Sequence, residues 1–310
     1  MITSLITYFK EKKDKNIIAN LAFLFLSGLY KRLYRIIPPA IIVKQQYKQY
    51  FGKDLDLGNP QTFNEKLQWK KIYDHNPIYT VCADKYRVRD LVKEKIGEKY
   101  LIPLYLATNK PGDIDFDKIT TPFIVKPNHM SAKYMLVKTK SDLNPEEIRK
   151  NCVEWLNNNF YYDGLEWHYK NIEPMIVVEK LLLTDEGKVP EDYKFFCFDG
   201  KVKIIQVSTD RFGDRKLTYL DTEWNILPFR SQECEIKMDV KKPQNLVELI
   251  STAERLSKDF DFVRVDLYSL NNEVYFGELT FTPYAGFNKY YPEEFDEILG
   301  RFFKLKKLNQ

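Results

Sequence analysis

The chain has 310 residues, 44% hydrophobic and 30% charged, with 48 Lys/Arg against 44 Asp/Glu and a formal net charge of +4. That balance excludes a disordered or fibrous chain, and the charge is too small to argue for nucleic acid as a partner. The average hides an asymmetry, because residues 1–53 hold ten basic and two acidic residues and so carry +8, leaving −4 on the rest.

In chain order, residues 17–29 (IIANLAFLFLSGL) are the most apolar stretch, set between Lys10, Lys12, Lys13 and Lys15 and Lys31, Arg32 and Arg35. Spanning a bilayer takes about 20 helical residues, so this run is too short. No small-x-small cleavage site follows it, as a signal peptide requires. Two readings stay open: a helix packed on the body, which base rates favour, or an interfacial helix on an anionic membrane. Pro38-Pro39 end that helix and Ala40–Tyr50 resume a short one. After the Gly58-Asn59-Pro60 turn, Thr62 caps a helix reaching Tyr73, with Glu65 in the capping-box position. Tyr79–Ile96 reads as one helix ended by Gly97.

Strand-like runs follow at Tyr100–Tyr105, Phe123–Lys126 and Met135–Lys138, then a helix over Pro145–Phe160 capped by Asn144 and a buried strand over Met175–Leu183. Beyond this the pattern turns to hairpins. Tyr193–Phe198 and Val202–Ser208 flank Asp199-Gly200, Leu217–Leu220 is a shorter strand, and Phe262–Tyr268 and Val274–Phe281 flank Asn271-Asn272. An amphipathic helix over Gln244–Asp259 lies between the hairpins. Antiparallel strands with segregated helices define an α+β protein. The four cysteines (Cys82, Cys152, Cys197, Cys234) and three histidines are scattered, which argues against a zinc site, a thiol redox motif and a disulfide framework, and reduced thiols in a packed interior are expected.

The C-terminal hairpin carries the most informative pattern. Alternation in Phe262-Val-Arg-Val-Asp266-Leu-Tyr268 puts Arg264 and Asp266 on one face, and Glu278 and Thr280 share a face of the return strand. A three-residue loop, Asn271 to Glu273, sets Asp266 opposite Glu278; a two-residue Asn-Asn turn puts the carboxylates on opposite faces. Facing carboxylates repel unless a cation holds them, and Asp plus Glu oxygens suit Mg²⁺ bridging phosphates. The competing reading is a solvated face on which Arg264 neutralises one acid. Asp192 and Lys194 share another strand face before Phe196 and Phe198, as a surface salt bridge or as the rim of an aromatic-lined cleft. Lys126 ends an apolar strand, while Lys85 and Arg89 share a helical face; each can reach phosphate or be merely solvated. Neither a Gly-x-x-x-x-Gly-Lys loop nor a G-x-G-x-x-G fingerprint is present.

Six fragments in order carry a resemblance: F-N-E-K-L-Q-W (63–69), A-D-K-Y-x-V-R (83–89), F-I-V-K-P-N-H (123–129), V-V-E-K-L-L (177–182), D-Y-K-F-F-C-F-D-G-K (192–201) and F-V-R-V-D-L-Y with G-E-L-T-F-T-P (262–283). Together they resemble the ATP-grasp superfamily, and within it the TupA-like ATP-grasp proteins of bacterial surface-polysaccharide biosynthesis. The resemblance implies two α+β subdomains sandwiching ATP, here with an added helical N-terminal segment. It implies a division into 1–55, 56–120, 121–182 (with a phosphate flap) and 183–310 (with the Mg²⁺-binding hairpin). It implies an ATP-dependent carboxylate–amine ligase acting through an acyl phosphate on a uronic acid of a surface polysaccharide, with a sugar carboxylate and an amine as substrates. Lys85, Lys126 and Ser131 match the groups around the ATP phosphates. Glu179, Lys180 and Leu182 match the strand that grips adenine, and Asp192 lies near the ribose. Lys194, Arg211 and Arg264 take the catalytic positions facing the transferred phosphoryl group, and Asp266, Glu278 and Thr280 match the Mg²⁺ ligands.

Two departures stand out. The family's flap has glycines where this chain has Met130 and Ala132, and its third Mg²⁺ position is commonly Asn where this chain has Thr280. A working enzyme is still expected, with a cytoplasmic location and with residues 1–53 docking on the inner membrane face or on polysaccharide machinery. Aromatic residues (Trp155, Tyr161, Tyr162, Trp167, Tyr284, Tyr290, Tyr291) are candidate sugar platforms. The rival readings are a glycosyltransferase using the D-x-D patterns at Asp113, Asp115 and Asp117 or at Asp54 and Asp56, and a nucleotide-binding protein without catalysis.

Overall fold

A computed structural model describes residues 8–9, 12, 16–33, 36–209, 215–231 and 234–305. Arg211 lies outside the described residues. The chain divides into two units, Met1–Leu55 and Asp56–Gln310.

In the first unit, helix α1 (Ile17–Leu33) is started by Asn16, whose Oδ1 accepts from the N–H groups of Ile18 and Ala19. Its apolar side chains do not all find cover: Ile17, Ile18, Leu21 and Phe25 are 62–76% exposed. Helix α2 (Pro39–Phe51) begins on a proline and ends at Gly52 in the left-handed conformation. Among the described residues no helix is long and apolar enough to cross a membrane.

The second unit begins with α3 (Phe63–Tyr73), and its capping box is formed as expected: Glu65 N–H donates to Thr62 Oγ1, and Thr62 N–H donates to Glu65 Oε2. The single helix expected over Tyr79–Ile96 is instead two, α4 (Pro77–Ala83) and α5 (Val88–Lys95). The break sits at Asp84, whose Oδ1 accepts from the N–H groups of Tyr86 and Arg87 and so offers the backbone an alternative to helical bonding.

A four-stranded antiparallel sheet follows, in order β1-β4-β2-β3, from β1 (Leu104–Thr108), β2 (Phe123–Pro127), β3 (Met135–Val137) and β4 (Ile176–Lys180). β1 starts later than expected: Tyr100 is in a 3-10 turn and Pro103, which has no N–H, precedes the strand. Helix α6 (Pro145–Leu156), capped by Asn144, packs on this sheet; Ile148, Cys152 and Trp155 bury against Phe123, Val125 and Val178. It stops short of Phe160, and a single turn α7 (Tyr161–Gly164) follows.

The second sheet is five-stranded, in order β10-β9-β5-β6-β7, from β5 (Asp192–Phe198), β6 (Lys201–Thr209), β7 (Lys216–Leu220), β9 (Phe262–Leu270) and β10 (Glu273–Thr280); β8 (Arg230–Ser231) pairs separately with β11 (Tyr290–Tyr291). Helix α8 (Leu246–Ser257) covers one face, where Leu249, Ala253 and Leu256 meet Phe195, Val263 and Val265. On the other face Phe196, Phe198 and Phe262 are covered by Phe63 and Leu67 of α3 and by Phe303, just after α9 (Glu294–Phe302). Phe196 and Phe198 are thus core and not the lining of a cleft. The β5–β6 turn places Asp199 and Gly200 at φ 47° and 73°, which the Asp-Gly pair accommodates. All four cysteines are free, three buried and Cys234 partly so.

Candidate active site

The C-terminal hairpin combines the two expectations, the two-residue turn of one with the facing carboxylates of the other. The turn is the two-residue one, Asn271-Asn272 at φ 50° and 64°, with Leu270 opposite Glu273. On that register alone Asp266 and Glu278 would miss each other. An extra residue, Gly277, bulges out between Phe276 and Glu278 and shifts the pairing by one, so Asp266 faces Glu278 and Arg264 faces Thr280. A Cβ on Gly277 would lie 3.0 Å from the Asp266 carbonyl oxygen, so the bulge requires the missing side chain.

On this face Arg264 and Asp266 are buried, while Glu278 and Thr280 are half-buried. Arg264 grips Asp266 with two bonds, Nε to Oδ1 at 2.6 Å and Nη2 to Oδ2 at 2.7 Å, and the same Nη2 reaches Glu278 Oε1 at 3.2 Å and Thr280 Oγ1 at 3.0 Å. One cationic nitrogen thus stands within reach of all three oxygens of the Asp266–Glu278–Thr280 set. On the neighbouring strand β5, Lys194 is paired with Asp266, and its Nζ lies 2.5 Å from Asp192 Oδ2 and 2.6 Å from Asp266 Oδ2. Asp192 and Lys194 are buried, which replaces the expectation of a surface salt bridge. Burial pushes the Asp266 carboxyl up, against the pull of Arg264 and Lys194. For Glu278, with 36% of its side chain exposed, burial is outweighed by Lys85, Arg264 and Lys194, which hold it well below the usual carboxylate range.

A second group of charges comes from the four-stranded sheet and α4–α5. Lys126 Nζ pairs with Glu179 Oε2 at 2.5 Å, and Arg89 reaches Glu179 Oε1 at 3.1 Å and the Ile102 carbonyl at 2.9 Å. Glu179 is therefore a buried side-chain partner for two cations, and Lys126 and Arg89 are not merely solvated. Lys85 Nζ donates to the Met130 carbonyl at 2.6 Å, and burial lowers its pKa. The loop bearing Met130 is pinned by Asn128, whose Nδ2 donates to Asp84 Oδ1 and to the Glu173 carbonyl, and whose Oδ1 accepts from Met175 N–H. Of the two residues standing where glycine was expected, Met130 is a buried anchor, whereas Ala132 holds the left-handed φ of 55° that favours glycine.

Both groups line one cavity of about 500 Å³. Lys85, Lys126, Ser131, Glu179, Lys180, Leu182, Asp192, Lys194, Arg264, Asp266, Glu278 and Thr280 all line it. Ser131 and Lys180 are exposed, while Leu182 is buried. At one edge lie residues that sequence reasoning did not assign to the site: Arg215, whose Nη2 donates to Tyr284 Oη at 3.2 Å, and Glu166, Tyr169 and Thr282. Nothing in local periodicity marks them, since each sits in a loop or at a strand end. Among the described residues no group of three His, Cys, Asp or Glu side chains is arranged to hold a metal, so any ion here relies on two carboxylates and a hydroxyl.

The D-x-D patterns are elsewhere. Asp113, Asp115 and Asp117 are exposed in 3-10 turns, where Asp115 caps Asp117 N–H and pairs with Lys118. Asp54 pairs with Lys48, and Asp56 Oδ1 closes the Gly58-Asn59 turn. Of the candidate sugar platforms, Trp155, Tyr161 and Tyr290 are core and Trp167 stacks on His75 at 4.9 Å; of the seven, Tyr284 lines the cavity.

With that geometry in place, comparison with known proteins gives the class. The model of the TupA-like ATPgrasp family matches residues 65–304, and the chain belongs to that family. Its α+β architecture, two antiparallel sheets with a charged cavity lined by both, is the ATP-grasp fold. Similar solved structures include D-alanine–D-alanine ligase from Bacillus anthracis complexed with ATP (20% identity, 64% of this chain and 56% of that one, TM-score 0.40). They also include the ATP-grasp ligase PsnB complexed with a phosphomimetic variant of its minimal precursor, Mg and ADP (15%, 70% and 57%, 0.40). A third is N5-carboxyaminoimidazole ribonucleotide synthetase from Thermus thermophilus (12%, 65% and 45%, 0.38). The chain spans a little over half the length of the first two. No curated protein matches it.

Proposed function

We propose that the protein is an ATP- and Mg²⁺-dependent ligase that joins a carboxylate to an amine as an amide, the carboxylate being that of a uronic acid in a surface polysaccharide. The observation that carries this reading is the convergence of Lys194, Arg264, Asp266, Glu278 and Thr280 on one sheet face, opposite Lys85 and Lys126 across a single cavity. Bound ATP would supply the phosphoryl group that activates the carboxylate as an acyl phosphate with release of ADP, and the amine would then displace phosphate from the acyl carbon to form the amide. That chemistry needs charge neutralisation and positioning and no side-chain nucleophile.

The residues fit the two groups. Asp266, Glu278 and Thr280 form an all-oxygen donor set that would hold Mg²⁺, which would there neutralise phosphate charge. The position of Arg264 Nη2 among those oxygens supports this, since it marks a point where positive charge is stabilised. In this reading Lys85, Lys126 and Ser131 hold phosphates, and Glu179 keeps Lys126 and Arg89 aimed while the backbone of Lys180–Leu182 borders the base. Asp192 lies by the ribose. Lys194, Arg264 and Arg211 stabilise charge on the transferred group. The left-handed backbone at Ala132 supports a flap that keeps its glycine-like shape without the glycine.

We assign the nucleotide to the space between the sheet of residues 104–180 and that of residues 192–280, consistent with a division at 56–120, 121–182 and 183–310. For residues 1–53 we propose docking on the anionic inner membrane face or on polysaccharide machinery, supported by the exposed Ile17, Ile18, Leu21 and Phe25. Unchanged supernatant levels after sedimentation with anionic liposomes would remove the membrane version.

The decisive measurement is product release with ATP, Mg²⁺, a uronic acid and a panel of amines. ADP and phosphate are expected. UDP release from a nucleotide sugar would select a glycosyltransferase instead, and a rise in Tm with ATP and Mg²⁺ but no turnover would select a binding protein.

A further inference from the structure

Glu166, at the cavity edge, is a buried carboxylate that no part of the phosphate chemistry uses. It precedes the 3-10 turn Trp167–Tyr169 and is 7% exposed. Its Oε1 accepts a hydrogen bond from the Thr282 hydroxyl, two residues past Thr280, which fixes it beside the end of the Mg²⁺ hairpin. Its Oε2 has no donor among the described residues. The nearest ring nitrogen, His168 Nε2, is 3.9 Å from Oε1 and is held neutral by burial. No Lys or Arg nitrogen of the described residues lies within 4.0 Å of it: Lys71, the cation whose charge it feels, donates instead to the Ala285 carbonyl at 3.0 Å. Burial pushes its carboxyl up, against the pull of the Thr282 hydroxyl and of Lys71, and Glu166 lines the same cavity as Glu278, Arg264 and Asp266.

A buried carboxylate without an adjacent cation is costly unless a partner charge arrives. The cavity wall at Glu166 is the place where that partner would enter. The backbone around it is closely fitted: Tyr284 and Ala285 hold φ of 54° and 53°, and a Cβ on Gly164 would crowd Glu166 Oε2 at 3.0 Å and Ala285 Cβ at 3.3 Å.

We propose that Glu166, with Thr282 and Tyr169, forms the subsite for the amine substrate and recognises it as a primary ammonium. This rests on the ligase reading above for the identity of the amine as substrate, but not for its binding. The subsite selects a cation with a small polar group beside it, and disfavours neutral or anionic nucleophiles of the same size.

The test is calorimetric titration of the wild type and Glu166→Gln with ethanolamine, glycinamide and L-serine, with ethylene glycol as the neutral control, each with and without Mg²⁺ and a non-hydrolysable ATP analogue. The wild type is expected to bind at least one of the cationic probes. Glu166→Gln, which keeps an acceptor for Thr282, should weaken that binding about tenfold or more, and ethylene glycol should give no binding. Equal binding to both proteins, no binding of any cationic probe to the wild type, or equal binding of ethylene glycol would each overturn the proposal. Should Glu166→Gln fail to fold, Gly164→Ala keeps the charge but crowds the carboxylate, and an unaltered affinity there has the same overturning force. The rise in Tm on adding Mg²⁺ and the ATP analogue is read separately on the wild type: its absence defeats the nucleotide reading and leaves the amine result standing on its own.

Discussion

One face of the five-stranded sheet has two ends that contrast. Along β5 and β9 the residues Asp192, Lys194, Asp266 and Arg264 give way, within one alternation, to Phe196, Phe198 and Phe262. Both ends are buried. At the aromatic end, Phe63 of α3 meets Phe262 edge-to-face at 4.9 Å, and Phe303 closes the layer. At the charged end Asp192, Lys194, Arg264 and Asp266 pair with one another and line the cavity. Replacing such ions by well-packed apolar residues is often neutral or stabilising. Their retention beside a layer that shows how the same strands pack when stability is the aim therefore points to function.

The comparison is broken most sharply at Asp266. Asp266→Ala takes from Arg264 and Lys194 the buried carboxylate they share, leaving them only Glu278 and Asp192, at a cost of about 3 kcal/mol in stability, and removes an oxygen donor from the proposed Mg²⁺ set. We expect loss of ATP turnover together with a lower Tm in a thermal melt. Full activity in this variant would end the metal assignment. At the other end, Phe63→Ala should cost about 3–5 kcal/mol through transfer and cavity terms. It should leave intact the rise in Tm caused by Mg²⁺ and the ATP analogue, because Phe63 does not line the cavity. If that rise vanished, the two ends would not be separable.

A smaller effect concerns His168, next to Glu166. Burial, with Lys70 and Lys71 adding to it, pushes its pKa from 6.5 down to about 3. As pH falls below 6.5 the unfolded chain binds a proton that the native ring refuses, so the native state loses about 1.4 kcal/mol per pH unit until the native pKa is reached. His168→Gln should therefore flatten the decline of Tm between pH 6.5 and 5, and an unchanged slope would show that the ring is not held neutral. Smallest is Ala132→Gly. Relief of left-handed strain, about 1 kcal/mol, is offset by the entropy glycine adds to the unfolded chain, about 0.5–1 kcal/mol. Tm in the absence of ligand should barely move, while the nucleotide-induced rise in Tm grows as the flap loosens.

Much of this was legible in local patterns. The Thr62–Glu65 capping box, the Asp199-Gly200 and Asn271-Asn272 turns, and the shared faces of Asp192 with Lys194 and of Arg264 with Asp266 all follow from periodicity and turn chemistry within a few residues. Features one step less local were missed. The Tyr79–Ile96 helix breaks because the Asp84 carboxylate bonds two N–H groups just beyond it, a contest that hydrophobic spacing does not register. The hairpin register turned on Gly277, a single bulge that no turn rule anticipates. Arg264 was expected to neutralise one acid, yet its fork spans Asp266, Glu278 and Thr280 because all three are packed within its reach.

Sequence alone determined the α+β class, the family motifs and which side chains share a strand face, since these depend on periods of two and 3.6 residues and on turn residues that tolerate positive φ. Only the tertiary structure decided which charges meet: Lys126 with Glu179, Asn128 with Asp84, Lys194 with Asp266, and Glu166 with Thr282. Those partners are 44 to 116 residues apart in the chain. Ion pairing and burial act through space, and no local repeat encodes which distant segment will supply the opposite charge or leave one, at Glu166, waiting for a ligand to bring it.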